Sequence, residues 1–231
     1  SLRDARPSVE RVEQQAKVTR APAQRRAVQG AAEHKVIVVT GGPGVGKTTI
    51  VRAILDVMKR AHLQVRLAAP TGRAAKRLFE ATSHEASTLH RLLEFDPRGG
   101  GFQLDAEKPI EADVVIVDEA SMIDVPLGAA LVSALGDAAR LIIVGDADQL
   151  PSVGPGALLR DIIESGVVTT VRLNEIFRQA GESRIVQNAH RILHGEAPES
   201  ADPESPRADF FVVSRREAEE AAETVKELVT V

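Results

Sequence analysis

The chain has 231 residues, 43% of them hydrophobic and 27% charged, with a net charge of −4. That is enough apolar material for a core, which excludes wholesale disorder, and the absence of cysteine excludes disulfides, thiolate zinc sites and iron–sulfur clusters. No apolar run approaches the roughly 18 residues of a membrane span and no apolar signal segment opens the chain, so a cytoplasmic location is expected.

In chain order, residues 1–20 read as a polar arm or the end of a preceding domain. Pro22 opens a helix through residue 32, because its fixed φ suits a first helical turn. Short β-rich runs then alternate with helical stretches. Strands are predicted at 35–40, 64–69, 114–117, 141–144 and 167–173, and helices at 47–61, 71–81, 127–135 and 156–165. Continuous apolar runs mark strands buried on both faces, so the pattern predicts an α/β fold with a mostly parallel sheet and helices on both faces. Residues 96–111, with Pro97, Gly99-Gly100-Gly101 and Pro109, break the alternation and read as a loop or hairpin insert. A last strand is expected at 210–213 and an acidic helix at 215–229. The expected division is an arm at 1–20, a lobe at 21–195 that carries the insert, and an acidic linker, strand and helix at 196–231.

Charge is unevenly placed. Residues 1–35 carry eight Lys/Arg against four Asp/Glu, 52–98 carry nine against five, and 196–231 carry four against ten. Local basic stretches can dock phosphates on an acidic protein. Six Phe, no Tyr and no Trp argue against an aromatic base-stacking platform.

The motif that carries most chemistry is Gly41-Gly42-Pro43-Gly44-Val45-Gly46-Lys47-Thr48, followed by Thr49, placed between a strand and a helix. It has the phosphate-loop spacing G-x-x-x-x-G-K-T. Glycines let backbone N–H groups curl around phosphates, and the helix start adds positive partial charge. Lys47 can reach the β- and γ-phosphates of ATP, and Thr48 offers a hydroxyl to Mg²⁺. The strand 114–117 then delivers Asp118 and Glu119 at its C-terminal end, where open α/β sheets bind ligands. Asp118 suits a Mg²⁺ position, and Glu119 a general base for water. The third strand ends in Gly145-Asp146-Ala147-Asp148-Gln149-Leu150-Pro151, where the uncharged Gln149 can touch both γ-phosphate and attacking water. After 64–69, Pro70 ends the strand, Thr71 suits a helix N-cap, and Arg73, Lys76 and Arg77 follow within two turns. That pattern makes a clamp for a phosphate backbone or a plain capped helix. His90 reads equally as a backbone contact or as the end of a core helix. Phe79 and Phe95 read as core, and Phe102 in the insert as exposed. His190 and His194 have the spacing of a helical metal pair but no third ligand.

The order of these segments resembles the RecD-like branch of superfamily 1 DNA helicases, of 5′-to-3′ polarity, over about 24–195. Gln24 is similar to that family's adenine-reading glutamine. Residues 69–75 resemble motif Ia, 88–93 motif Ib, 118–122 motif II and 145–151 motif III. Ile176-Phe177-Arg178-Gln179 is similar to motif IV, whose arginine meets the γ-phosphate. The resemblance implies a RecA-like P-loop lobe with ATP between Gln24, the P-loop, Asp118, Glu119, Gln149 and Arg178. It also implies single-stranded DNA across the opposite edge of the sheet, at Pro70, Thr71, Arg73, Thr88 and His90, with Phe102 on a hairpin pin. A second RecA-like lobe with an arginine finger is implied too, and 196–231 is too short to provide one. With Ser1 in place of Met, the chain reads as a fragment. The helicase half of a conjugative relaxase shares most of these motifs. A P-loop nucleotide switch or assembly module is a different class, which has little need for a water-activating Glu119.

Overall fold

Six short strands pair side by side, all parallel, in a computed structural model that describes residues 21–175, 183–202, 205 and 208–229. In chain order they and their helices are α1 (Pro22–Glu33), β1 (Val36–Thr40), α2 (Lys47–Arg60), β2 (Val65–Ala69), α3 (Gly72–Thr82), β3 (Ala86–Thr88) and α4 (Leu89–Leu92). A two-stranded ladder, β4 (Phe95–Asp96) with β5 (Gly101–Phe102), follows, then β6 (Val114–Val117), a 3₁₀ turn (Ala120–Met122), α5 (Val125–Ser133), β7 (Arg140–Gly145), α6 (Leu158–Ser165) and β8 (Thr169–Arg172). The spatial order of the large sheet is β3-β2-β6-β7-β1-β8.

Alternation along the strands splits the core into two layers. Ile37 and Val39, Val114 and Ile116, and Ile142 and Val144 face one side, where they pack with α1, α2 and Leu78 of α3. Val38, Val115 and Val117, and Leu141 and Ile143 face the other, against Leu89, Leu93, Leu127, Leu131 and Leu159. All four residues of β6 are buried, as a central parallel strand requires. The carboxyl ends of β1, β6 and β7 therefore open side by side at one end of the sheet, with the ends of β2 and β3 continuing that row.

Several expectations change. The strand β3 was not predicted. The insert is a ladder of two residues per strand that begins at Phe95, with the rest of 96–111 irregular among the described residues. Phe102 is half-buried and packs against the second core layer, whereas Phe79 and Phe95, expected in the core, are 52% and 44% exposed. The reason is local. Phe79 faces outward on α3 while Leu78 supplies the core contact, and the tight turn after Asp96 folds Phe102 back onto the lobe. No strand forms at 210–213, where Phe211, Val212 and Val213 are exposed.

Compact units comprise 1–177 and 178–231. The helix α7 (Arg184–Leu193) thus groups with α8 (Ala218–Val229), whereas the sequence-based division put its residues in the lobe. The second unit is organised by polar contacts. Asn188, 1% exposed, uses both ends of its amide on the Glu199 backbone, at 2.8 Å each. Ser183 and the Arg184 amide both donate to Asp209, at 2.6 and 2.9 Å. The Ser183 hydroxyl holds the Asp209 carboxyl below the usual carboxylate range.

Candidate nucleotide site and the surface beside it

The loop between β1 and α2 carries the glycine-rich motif, and two of its glycines need their freedom. Gly44 and Gly46 have φ of 78° and 82°, a left-handed backbone that side-chain-bearing residues resist. Gly46 caps α2 with no side-chain hydrogen bond, and the first turn of α2 has no acidic residue. The leading amides of α2 therefore have no carboxylate or hydroxyl cap, the arrangement that favours an anion. Lys47 folds back over the loop, its Nζ donating to Gly41 O at 2.6 Å and Gly42 O at 3.0 Å. Pro43 and Val45 complete the loop, with Val45 buried, while Thr48 and Thr49 are exposed at the start of α2.

Asp118 and Glu119 follow β6. The Glu119 amide donates to Asp118 Oδ1 at 2.9 Å. Glu119 itself sits at φ 54°, a left-handed conformation for a residue with a side chain, and turns the chain into the 3₁₀ segment. Burial raises the Asp118 carboxyl from 3.8 to about 6, against the opposing effect of the Glu119 amide; the Glu119 charge adds to the rise and Lys47 offsets part of it.

The turn after β7 brings in Gln149, which is exposed but not loose. Its Nε2 donates to Asp146 Oδ2 at 3.4 Å, and its Oε1 accepts the Ser121 hydroxyl at 3.5 Å. Asp146 and Ser121 are 2% and 7% exposed. Neither stood out as a site residue in the sequence. The usable signal was Asp146's place directly after a buried apolar strand, the same place Asp118 holds after β6.

Gln24 lies buried on α1, and its Nε2 donates to Val45 O at 3.3 Å. It is thus tied to the P-loop backbone. Arg178 and the rest of 176–179 lie outside the described residues.

A cavity of about 560 Å³ is lined by Thr48, Asp118, Glu119 and Gln149 together with Thr71, Arg73 and Arg77. Part of the expected DNA surface therefore opens into the expected nucleotide site. Thr71 caps α3, its hydroxyl accepting the Ala74 amide at 3.3 Å. Pairing of β2 with β3 sets Ala69 beside Thr88, so Pro70 and Thr71 lie next to Thr88 and His90 at the sheet edge farthest from β8. Thr88 caps α4 through the Arg91 amide at 3.2 Å. His90 is exposed and rests against two rings, with centroids 5.4 Å from Phe95 and 5.6 Å from Phe102. It neither finishes a core helix nor stands alone, because it joins α4 to the small ladder. Among the described residues no cluster of three or more His, Asp or Glu could hold a metal by itself. Thr48 and Asp118 would hold a cation only together with phosphate oxygens.

The model of an AAA domain family matches residues 24–155, more than half of the chain. The chain is 44% identical over 171 residues to the ATP-dependent RecD2 DNA helicase of Deinococcus radiodurans, covering 74% of this chain and 23% of that protein. It is 44% identical over 164 residues to the RecBCD enzyme subunit RecD of Mycobacterium tuberculosis, covering 61% of this chain and 28% of that one. The chain spans about a quarter of the length of these curated relatives. Among solved structures, the Pif1 helicase of Candida albicans superposes with a TM-score of 0.59 at 24% identity, over 79% of this chain and 46% of that one. A structure of two coordinating Pif1 helicases gives 0.56 at 21%, over 78% and 49%. These superpositions establish the fold, an α/β RecA-like P-loop lobe. With that fold, the strand-end motifs and the family match on one stretch of sequence, the chain belongs to the AAA domain family, and it is similar over that stretch to RecD2 and RecD proteins.

Proposed function

We propose that the chain binds Mg·ATP and is the nucleotide-hydrolysing lobe of a DNA helicase that moves along single-stranded DNA, 5′ to 3′, in repair or recombination. The observation that carries this reading is the convergence of Lys47, Thr48, Asp118, Glu119 and Gln149 on the ends of the adjacent strands β1, β7 and β6. Lys47 and the uncapped amides of α2 offset phosphate charge. The oxygen donors Thr48 and Asp118 suit a hard divalent cation, and Mg²⁺ held by them would neutralise charge building on the phosphate oxygens. Glu119 takes the proton of the attacking water on a carboxylate oxygen, and Gln149 orients that water. Gln24 reads the adenine edge, and Arg178 meets the γ-phosphate.

Single-stranded DNA would lie along Pro70, Thr71, Arg73, Thr88 and His90, with Phe102 behind them in the ladder. These are backbone contacts, which fix position without reading sequence. The likeness to RecD2 and RecD proteins, named as a DNA helicase and a RecBCD subunit, supports this reading. The test is a titration of the chain with Mg·ATP and Mg·GTP, followed by phosphate release with and without single-stranded oligonucleotide. Lys47→Ala should weaken ATP binding by ~10²-fold or more, since it removes a charged partner of the phosphates. ATP should bind better than GTP, and DNA should accelerate phosphate release. Unchanged binding by Lys47→Ala would sink the nucleotide reading, and equal affinity for GTP would sink the role of Gln24.

A further inference from the structure

Asp146 is a buried carboxylate with no part in the chemistry above. Its Oδ1 accepts the Asp148 amide at 3.1 Å, which shapes the turn after β7. The same turn is tied to the end of β1, because Ala147 N–H donates to Thr40 Oγ1 at 3.2 Å. Its other oxygen, Oδ2, accepts Gln149 Nε2 at 3.4 Å and lies 3.9 Å from Lys47 Nζ. A carboxylate this buried needs a compensating cation, and Lys47 is the one beside it. One oxygen thus serves two groups with different duties. Lys47 meets any phosphate chain in the loop, whether diphosphate or triphosphate. On the reading proposed above, Gln149 meets the γ-phosphate and the attacking water, which only a triphosphate supplies. Ser121 holds the other end of the Gln149 amide.

We propose that Asp146 is a positioning residue that sets the preference of the site for nucleoside triphosphate over diphosphate. It restrains Lys47 by competing with phosphate for the same ammonium, and it aims Gln149, with Ser121 as the second support. The assignment rests on the P-loop reading above. Asp146→Asn preserves the shape of the side chain and removes its charge. Lys47 then meets phosphate without a competing anion, so affinity for ADP should rise, by about three- to tenfold. Gln149 loses its charged acceptor, so a triphosphate gains less than ADP and the preference narrows. Ser121→Ala loosens Gln149 alone. The preference should narrow there too, through weaker triphosphate binding with ADP unchanged.

The experiment is equilibrium binding of Mg·ADP and of the slowly hydrolysed Mg·ATPγS to the full 231-residue chain, as wild type, Asp146→Asn and Ser121→Ala, with thermal melts of each. Tighter ADP binding by Asp146→Asn together with a lowered ATPγS:ADP preference supports the assignment, because loosened packing would weaken both nucleotides. Loss of both affinities together, or no change in either, overturns it. If Asp146→Asn does not fold, Ser121→Ala decides, and an unmoved ATPγS:ADP ratio overturns the assignment. A wild-type chain that binds neither nucleotide removes the P-loop reading and this one with it. Binding of both with an unmoved ratio in the variants removes only this one.

Discussion

Asp118 places a cost on stability where the chemistry is expected. Its carboxyl is raised from 3.8 to about 6, mainly by burial. The folded state therefore binds this proton more tightly than the unfolded chain does. Below pH 3.8 both states are protonated and nothing is lost; above about 6 both are ionised and the folded state bears the full cost of about 3 kcal/mol. The contribution of Asp118 to stability thus falls as pH rises between those values. Urea unfolding should show Asp118→Asn more stable than wild type by about 2–3 kcal/mol at pH 7.5, with the gap shrinking at pH 4.5. A gap that widens on acidification would refute this reading of the site. Sites of this kind commonly give up stability for function. Lys47, Asp118 and Glu119 were legible because each follows an apolar strand at a spacing that only backbone geometry requires. The phenylalanines were not. Whether Phe79, Phe95 or Phe102 faces the core depends on which turn of a helix or ladder meets the sheet, and composition carries no such information. Asp146 and Ser121 escaped for a related reason, since their importance lies in what they touch across 25 residues or more of sequence.

At the scale of elements, α3 separates a structural duty from a proposed contact within one residue. Thr71 Oγ1 accepts the Ala74 amide, so Thr71→Ala should cost the chain ~1 kcal/mol, or about 2–4 °C in Tm for a protein of this size. Thr71→Asp keeps an N-cap acceptor and adds negative charge where the DNA backbone is proposed to pass. Melting curves should show Asp restoring what Ala loses, while single-stranded DNA affinity falls below that of Thr71→Ala. Recovery of both stability and DNA binding by Asp would leave Thr71 a cap and nothing more. The parallel strands were legible because a strand buried on both faces is apolar without interruption, as in the four buried residues of β6. Ala86-Ser87-Thr88 lacked that signal, because an edge strand of small, half-buried residues shows neither an apolar run nor a clear alternation. The run Phe210-Phe211-Val212-Val213 has strand composition and forms no strand. Composition permits a strand, but a pairing partner makes one.

At the scale of the whole molecule, the described residues contain one six-stranded sheet, and the chain spans about a quarter of the relatives it resembles. A motor of the proposed kind closes a second lobe over the nucleotide and brings an arginine to the γ-phosphate as it does so. Such an arginine is worth roughly 10³–10⁵ in rate, or about 4–7 kcal/mol of barrier. On the proposed reading Asp118, Glu119 and Gln149 would place the cation, the base and the water, with Arg178 as the proposed source of distal charge. The chain should therefore bind Mg·ATP yet release phosphate very slowly, and it should not separate duplex DNA, because one lobe has nothing to step against. Its hold on single-stranded DNA should be weak as well. A lobe that touches ~2–4 phosphates gives a log–log salt slope of about −1.5 to −3. Glu119→Gln should lower the small hydrolysis rate further and leave nucleotide affinity nearly unchanged, since the carboxylate acts on water and not on the bound phosphates. Single-turnover phosphate release, a salt series of DNA binding and a forked-duplex assay on the same preparation check the three points together. Turnover of tens per second, or strand separation by this chain, would mean that the catalytic set is complete within one lobe and that no arginine need arrive from outside it.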